Sequence, residues 1–455
     1  MIGLVSTALP PLYLLILVVV TPCVIWSLSR PYLSYVFLLF SLPFFAYSIT
    51  GTQEEKGQID IKFYDIATII AIFSWIVNGL VKKTLSFEKS PIILPLFLLY
   101  AWMFFSLSWC YSFKVGTIDF AKKLICVSVF LLTINLVTDR KRLDMTFRLW
   151  TIIGLIYAFC SLWEVFHQGF GAAAARLAEH WGESVRTSGY APGPNRFGFF
   201  LNLCMMISIP QLATTKSFKY KIFLIFSTIM MMLILITTMS RGAWAGFVAG
   251  AAILSFYSRA CRKALIIGFI IAAVITVAIS TTSYIDAIYE RFAGLVDPSI
   301  TKDYHGKPEV WAAGLKMFQD SPLIGVGIGS FNLLSPSYGS TILVLPHDLY
   351  IYILAEFGLI GAALFLLLVA ISLAEALKTL KKLTNQSEKL ILVGLLAGLF
   401  IYCFQGLAIS FGFREADMGA FFGLAIATIK IFGTQQLTTQ IEAGKVTNGV
   451  ELPIT

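Results

Sequence analysis

The chain has 455 residues, of which 58% are hydrophobic and only 13% are charged, and its mean hydropathy is +0.82. A water-soluble globular protein carries roughly twice that charged fraction, so the composition excludes the soluble class and indicates a polytopic membrane protein. The net charge of +9 does not indicate nucleic-acid binding, because the basic residues stand in short clusters between apolar runs. Seven cysteines without CxxC spacing and four dispersed histidines lead us to predict no metal site and no cofactor.

Apolar runs follow one another along most of the chain. A helix needs roughly 20 apolar residues to cross the hydrocarbon core, and in lipid a helix satisfies its own backbone groups. We therefore predict an all-α polytopic fold of about 12–14 transmembrane helices, with one large extracytoplasmic loop that carries short helices. The spans are placed near residues 6–27, 31–50, 64–81, 91–109, 118–137, 147–167, 194–213, 220–239, 241–258, 264–282, 348–374, 390–409 and 416–433.

The connections between these runs divide into two sets by charge. The basic set includes Lys82, Lys83, Arg140, Arg142, Lys219, Lys221, Arg259, Arg262, Lys381 and Lys382. The positive-inside rule places this set in the cytoplasm. The loops 168–193 and 283–346 and the turn at Ser240-Arg241 are then extracytoplasmic, and an odd number of spans places the N-terminus outside.

Arg241 lies in a turn between two apolar runs. An arginine at membrane depth is costly unless its side chain reaches the interface or pairs with an anion. Two interpretations stay open, an interfacial anchor for the following span and a fixed cation that pairs bidentately with a phosphate. Gly242 and Gly246 predict that a neighbouring helix packs closely against this segment.

A second polar stretch, residues 186–196, enters a span at Pro194, which suits the first turn of a helix. Arg186, Asn195 and Arg196 are expected on the same face of the membrane as Arg241. Arg186 is therefore a candidate phosphate cation and Asn195 a candidate supporting residue, with ordinary turn chemistry as the alternative. Lys122 and Lys123, near the outer start of the fifth span, are further cations on this face or snorkelling side chains.

The loop 283–346 is long for a connection without a function. It holds two more candidate cations, Arg291 and Lys307. Its glycine run at 325–329 resembles a dinucleotide-binding fingerprint, but no strand precedes it. We predict a tight turn there instead.

A short helix is predicted inside this loop at residues 308–318. Trp311, Leu315 and Phe318 share one side of it, so we expect the helix to lie flat at the membrane interface.

His347 ends the loop and precedes the next apolar run, with Asp348 beside it. A histidine with a pKa near neutral suits the role of general base for a hydroxyl nucleophile; a histidine that caps the following helix is the alternative. Glu356 lies inside the span that follows. A charged carboxylate there is costly, so we expect Glu356 to be buried in protein and either neutral or paired.

Together these residues resemble the superfamily of O-antigen ligases and polymerases, the membrane glycosyltransferases of the bacterial envelope. The resemblance rests on Pro194-Asn195, Ser240-Arg241-Gly242, Trp311 ahead of Ser321-Pro322-Leu323-Ile324-Gly325-Val326-Gly327, His347-Asp348-Leu349-Tyr350, Glu356-Phe357-Gly358 and Gly361. It implies metal-independent, inverting glycosyl transfer from an undecaprenyl-diphosphate-linked glycan. It also implies a glycan or lipid A core acceptor, and an inner-membrane location with the active site on the periplasmic face.

On this resemblance, Arg241 holds the diphosphate and His347 activates the acceptor hydroxyl. Trp311, Asn195, Asp348 and Glu356 are supporting residues. The family usually has a second arginine four residues before the tryptophan, where this chain has Lys307. A lysine supplies the charge without the bidentate fork, so Arg186 and Arg291 are alternatives for the second cation.

Polymerisation of O-antigen or exopolysaccharide repeat units is preferred over ligation to lipid A core. A flippase for the same lipid-linked glycan and a polysaccharide-binding scaffold are the alternatives from other classes. We see no internal repeat between the two halves, and the cations gather at one face rather than at mid-span, which disfavours a transporter.

The predicted organisation has four parts. They are N-terminal transmembrane helices in 1–185, a ligase/polymerase-like catalytic core in 186–375, C-terminal transmembrane helices in 376–433, and a polar cytoplasmic tail in 434–455.

Overall fold

The computed structural model describes residues 28–42, 61–181, 193–279, 307–341, 345–407, 413 and 415–447. These residues form helices joined by short connections, without a β-sheet among them, which confirms the all-α class. The helices are α1 (Pro31–Ser41), α2 (Phe63–Val81), α3 (Ile93–Phe105), α4 (Phe113–Leu136), α5 (Arg140–Trp181), α6 (Pro194–Thr214), α7 (Phe218–Thr237), α8 (Arg241–Tyr257), α9 (Arg259–Ile279), α10 (Lys307–Asp320), α11 (Phe331–Leu334), α12 (Leu349–Lys382), α13 (Gln386–Gln405) and α14 (Ala416–Thr447). Two short 3-10 helices lie at Ser106–Ser108 and Ser335–Tyr338.

Within the described ranges, 7 helices are long and apolar enough to cross a membrane. They are α2, α5, α6, α7, α12, α13 and α14, and α1 and α3 are shorter apolar helices. This confirms a polytopic membrane protein. The predicted first span, 6–27, lies outside the described residues, and the total of about thirteen spans stays a prediction.

The basic connections meet at one end of the helix bundle, as their charge pattern predicts. Nη1 of Arg140, at the start of α5, lies 2.8 Å from Oε1 of Glu388 at the start of α13. Lys430 of α14 forms an ion pair with Glu88, which precedes α3. Which side of the membrane this end faces stays a prediction.

Close packing of α13 against α8 confirms the expectation from the small residues of α8. A Cβ atom on Gly246 would collide with the side-chain amide of Gln405, and one on Gly250 would collide with Ile401. The two helices approach because these positions have no side chain.

Helix α12 is broken at Gly358, where φ is +64° and ψ is −163°. In lipid an unsatisfied backbone group costs several kcal/mol, so the break needs partners from elsewhere. The segment 322–327 supplies most of them, and Trp102 supplies another. The bonds are Leu359 N–H to Pro322 O (2.8 Å), Ile360 N–H to Leu323 O (3.2 Å), Val326 N–H to Ala355 O (2.8 Å), Gly327 N–H to Glu356 O (3.0 Å) and Trp102 Nε1–H to Phe357 O (3.0 Å).

The glycine run is a tight turn, as predicted, but its site of attachment was not predicted. Gly325 has φ of +70°, and a Cβ atom there would overlap the backbone of Glu356. Gly325 is therefore needed so that one backbone can lie against another at the break in α12. Gly327 lies against the backbone of Cys110 and Gly329 against that of Gly116, so the run has a structural role at each glycine.

The loop helix α10 packs on the protein through a face that was not predicted. This buried face consists of Val310, Ala313 and Met317, which face α12 and α11. Small residues at 312–314 allow the helix to approach α12 closely, with Gly314 against Ile351. Leu315, on the side predicted to lie at the membrane interface, is 45% exposed, and the interfacial position of that side stays a prediction.

Candidate active site

Hydrogen bonds of the Ser240 side chain, to Ala243 and to Asn195, stabilise the turn that carries Arg241. Ser240 is the N-cap of α8: its Oγ accepts from the N–H of Ala243 at 3.2 Å and donates to Oδ1 of Asn195 at 2.7 Å. Met239, just before the cap, has φ of +51°. Arg241 is therefore the first residue of a helix, where the helix dipole adds partial positive charge to that of the guanidinium.

One end of α13 joins this turn to the start of α12. Nε2 of Gln405 donates to the carbonyl oxygen of Gly242 at 2.9 Å. The next residue, Gly406, accepts from the N–H of Leu349 at 2.6 Å. Since Gly242 follows Arg241 and Leu349 comes two residues after His347, the structure brings both candidate catalytic residues to the same end of the bundle.

His347 is held from both sides. Before it, the carbonyl oxygen of Pro346 accepts from the Trp311 indole Nε1–H at 2.5 Å. After it, the carboxylate of Asp348 accepts from the N–H groups of Tyr350 and Ile351, both at 2.9 Å. Asp348 is thus the cap of α12, which was the alternative role for His347.

The backbone of His347 is in the left-handed region, with φ of +49°. A non-glycine residue takes up such a conformation only where its surroundings enforce it, and such residues cluster at functional sites. Burial raises the pKa of the neighbouring Asp348 carboxyl, and the two N–H bonds that it accepts partly offset this effect.

Glu356 is buried and paired, as expected for an acid inside a span. It is 1% exposed. Its Oε2 accepts from the N–H of Gly329 and its Oε1 from the N–H of Phe331, each at 3.1 Å. The carboxylate therefore fastens the glycine turn to α12.

The second cation of the site stays a prediction. Lys307 is the first residue of α10, one turn before Trp311, and its side chain lies outside the described residues. Arg186 and Arg291 also lie outside the described residues.

The sequence analysis predicted only some of the charged groups at this end of the bundle. Arg196, expected on this face, has Nη2 at 3.0 Å from Oε1 of Glu415. Asp417, at the start of α14, is 3% exposed and lies close enough to Arg196 for electrostatic interaction. The available signal was the pair of acids at the start of a span, Glu415 just before it and Asp417 in its first turn. The snorkelling interpretation of Lys123 is wrong, because Lys123 is 0% exposed and lies inside the bundle.

One family model matches the part of the chain that contains most of these residues. Residues 226–366 match the family model described as O-antigen ligase. This segment of the chain is similar to O-antigen ligases. The match confirms the resemblance and supports an O-antigen ligase/polymerase-type membrane enzyme of polysaccharide assembly.

The matched range contains Arg241, Lys307, Trp311, His347 and Glu356, whereas Asn195 precedes it. The family implies a lipid-linked glycan and an acceptor as substrates. No curated protein matches the chain as a relative. Among the described residues, no three His, Cys, Asp or Glu side chains are grouped so that they could hold a metal ion.

Proposed function

We propose that the protein polymerises repeat units of O-antigen or exopolysaccharide on the periplasmic face of the inner membrane. The donor is a glycan linked to undecaprenyl diphosphate, and transfer inverts the anomeric carbon without a metal ion. One observation supports this above the others: Gln405 and Gly406, adjacent residues at the end of α13, contact the Arg241 turn and the start of α12 next to His347.

Arg241 binds the diphosphate of the donor in this proposal. Its planar guanidinium pairs bidentately with phosphate oxygens, and the N-terminus of α8 adds a second source of positive charge. The position of Arg241 and that of the helix N-terminus are fixed before the reaction, because Ser240 and Asn195 hold the turn. Such fixed charge stabilises the diphosphate as it leaves.

His347 acts as the general base. It takes the proton of the acceptor hydroxyl while the hydroxyl oxygen forms a bond to the anomeric carbon. The bond between that carbon and the diphosphate oxygen breaks, and the diphosphate leaves with its electron pair beside Arg241. The contacts of Trp311 and Asp348 on either side of His347 keep the imidazole in position for this transfer.

The test is chain extension by purified protein in liposomes, with a synthetic undecaprenyl-diphosphate-linked repeat unit as substrate. Arg241→Ala is expected to lower the rate by about 10²–10³-fold through loss of charge stabilisation. His347→Asn is expected to lower it by about 10²–10⁴-fold, and asparagine tolerates the positive φ of that position.

Arg259→Ala is the matched control, since Arg259 is an exposed arginine just beyond the far end of α8, roughly 25 Å from Arg241. Full-length polymer from both site variants would refute the assignment. A single transfer to lipid A core, without a ladder of products, would identify a ligase. Movement of the lipid across the bilayer without any transfer would identify a transporter.

A further inference from the structure

A chain of buried polar side chains runs from α4 to α12. Lys123 of α4 donates through Nζ to Oδ2 of Asp119 at 2.7 Å and to the hydroxyl of Tyr352 at 3.0 Å. Tyr352 also interacts with the carboxyl of Glu356, one turn further along α12. Each of the four residues is at most 2% exposed. No part of the reaction described above uses Lys123, Asp119 or Tyr352.

The hydrogen bonds in this series of buried side chains run in one direction, from donor to acceptor. A lysine ammonium group only donates, so the Tyr352 hydroxyl accepts from Lys123. The single O–H of Tyr352 is then available to donate to the carboxylate of Glu356, which only accepts. Lys123 therefore orients the Tyr352 hydroxyl, and that hydroxyl orients the carboxylate.

The oriented carboxylate holds the loop that leads to His347. Glu356 accepts from the N–H of Phe331, and the Phe331 ring packs against Gly314 of α10. The same helix carries Trp311, whose indole holds the carbonyl group directly before His347. A continuous set of contacts thus connects Lys123 in the bundle to His347.

We propose that Lys123 is a positioning residue for glycosyl transfer, acting through Tyr352 and Glu356 on the loop that places His347. The inference rests on the proposed function, in which His347 is the general base. Two acids and one lysine are unfavourable to bury among membrane helices, and apolar residues of similar volume often stabilise such places as well or better. A role in orientation accounts for the charges, whereas packing alone does not require them.

The first test is Tyr352→Phe, which removes one hydroxyl group and keeps the ring. In the liposome assay, kcat is expected to fall by about 10- to 100-fold, because a small displacement of a reacting group has an effect of that size. KM for the donor is expected to stay unchanged, since the contacts described from Lys123 to His347 do not pass through Arg241 or its turn. Lys122→Met, at the neighbouring position of α4, is the matched control and should retain the wild-type kcat.

A pair of variants separates positioning from stability. Lys123→Met leaves Asp119 buried without its cation and is expected to lower both the melting temperature and kcat. Asp119→Asn combined with Lys123→Met removes both charges. It should recover the melting temperature but not kcat, because Tyr352 still lacks the group that orients its hydroxyl.

Wild-type kcat in Tyr352→Phe, or recovery of kcat in the double variant, would overturn the inference. Amide hydrogen exchange at residues 326–331 adds a measurement that does not depend on turnover. It should be faster in Tyr352→Phe than in the Lys122→Met control, and equal rates would also overturn the inference. The proposed function fails separately, if the wild type shows no transfer or if His347→Asn retains it.

Discussion

Replacement of Glu356 by glutamine is expected to destabilise the protein, although the two side chains have nearly the same shape. Both carboxylate oxygens accept backbone N–H groups of the loop, those of Gly329 and Phe331. Glutamine keeps one acceptor oxygen and places an NH₂ group at the other position. One N–H of the loop then loses its partner and faces a second donor.

The magnitude follows from the number of bonds. A hydrogen bond to a charged group contributes about 1.5–3 kcal/mol, and a buried unsatisfied N–H costs about 1–3 kcal/mol. Glutamine also removes the cost of burying a negative charge, which offsets part of the loss in the free energy of unfolding. Lys123 is not left unpaired by this change, because it keeps Asp119 as its partner. We expect a net loss of about 2 kcal/mol in the free energy of unfolding.

Glu375→Gln is the matched control on the same helix. Glu375 pairs with Lys378, whose side chain is 67% exposed, and such a pair contributes roughly 0.2–1 kcal/mol. Unfolding of the purified protein in mixed micelles, followed by tryptophan fluorescence, measures both variants. A difference between them below about 0.5 kcal/mol, the range of ordinary surface substitutions, would refute the role given to Glu356.

Two further predictions concern the segment around His347. Asp348→Ala removes the cap of α12 and should destabilise the protein by about 1 kcal/mol. Asp348→Asn should retain both stability and transfer. Loss of transfer in Asp348→Asn would show that the charge acts on His347. Trp311→Phe removes the bond to the carbonyl oxygen of Pro346 and should lower kcat by at least tenfold, as roughly expected for a misplaced reacting group, with melting close to the wild type; an unchanged kcat would show that this bond does not position His347.

Much of the fold could be predicted from the sequence, because a bilayer restricts the length, hydropathy and flanking charge of the helices that cross it. Length and hydropathy located the helices, and the charge pattern of the connections grouped their ends correctly, as the Arg140–Glu388 and Lys430–Glu88 pairs demonstrate. The close approach of α8 and α13 followed from Gly246. These properties depend on local composition, which a single sequence displays.

The break in α12 was not predicted, because its cause is not local. Gly358 alone is compatible with an unbroken helix, and only the arrival of the segment 322–327 provides partners for the freed backbone groups. Lys123 was misjudged partly for the same reason: its ion pair with Asp119 is local, but its second partner, Tyr352, lies 229 positions away in sequence. The partner of Arg196 was likewise distant, in Glu415.

The break in α12 also determines which part of the chain should be exchanged as one block. The segment 322–327 is bonded through backbone groups to both sides of the break, at residues 355–356 and at residues 359–360, so the loop segment and the break belong to one structural unit. A chimera between relatives should therefore take residues 307–360 as one block and place its second junction after Ile360. A junction at Asp348, where the apolar run begins, would pair the loop of one protein with the docking helix of another and would separate Glu356 from the turn that it holds.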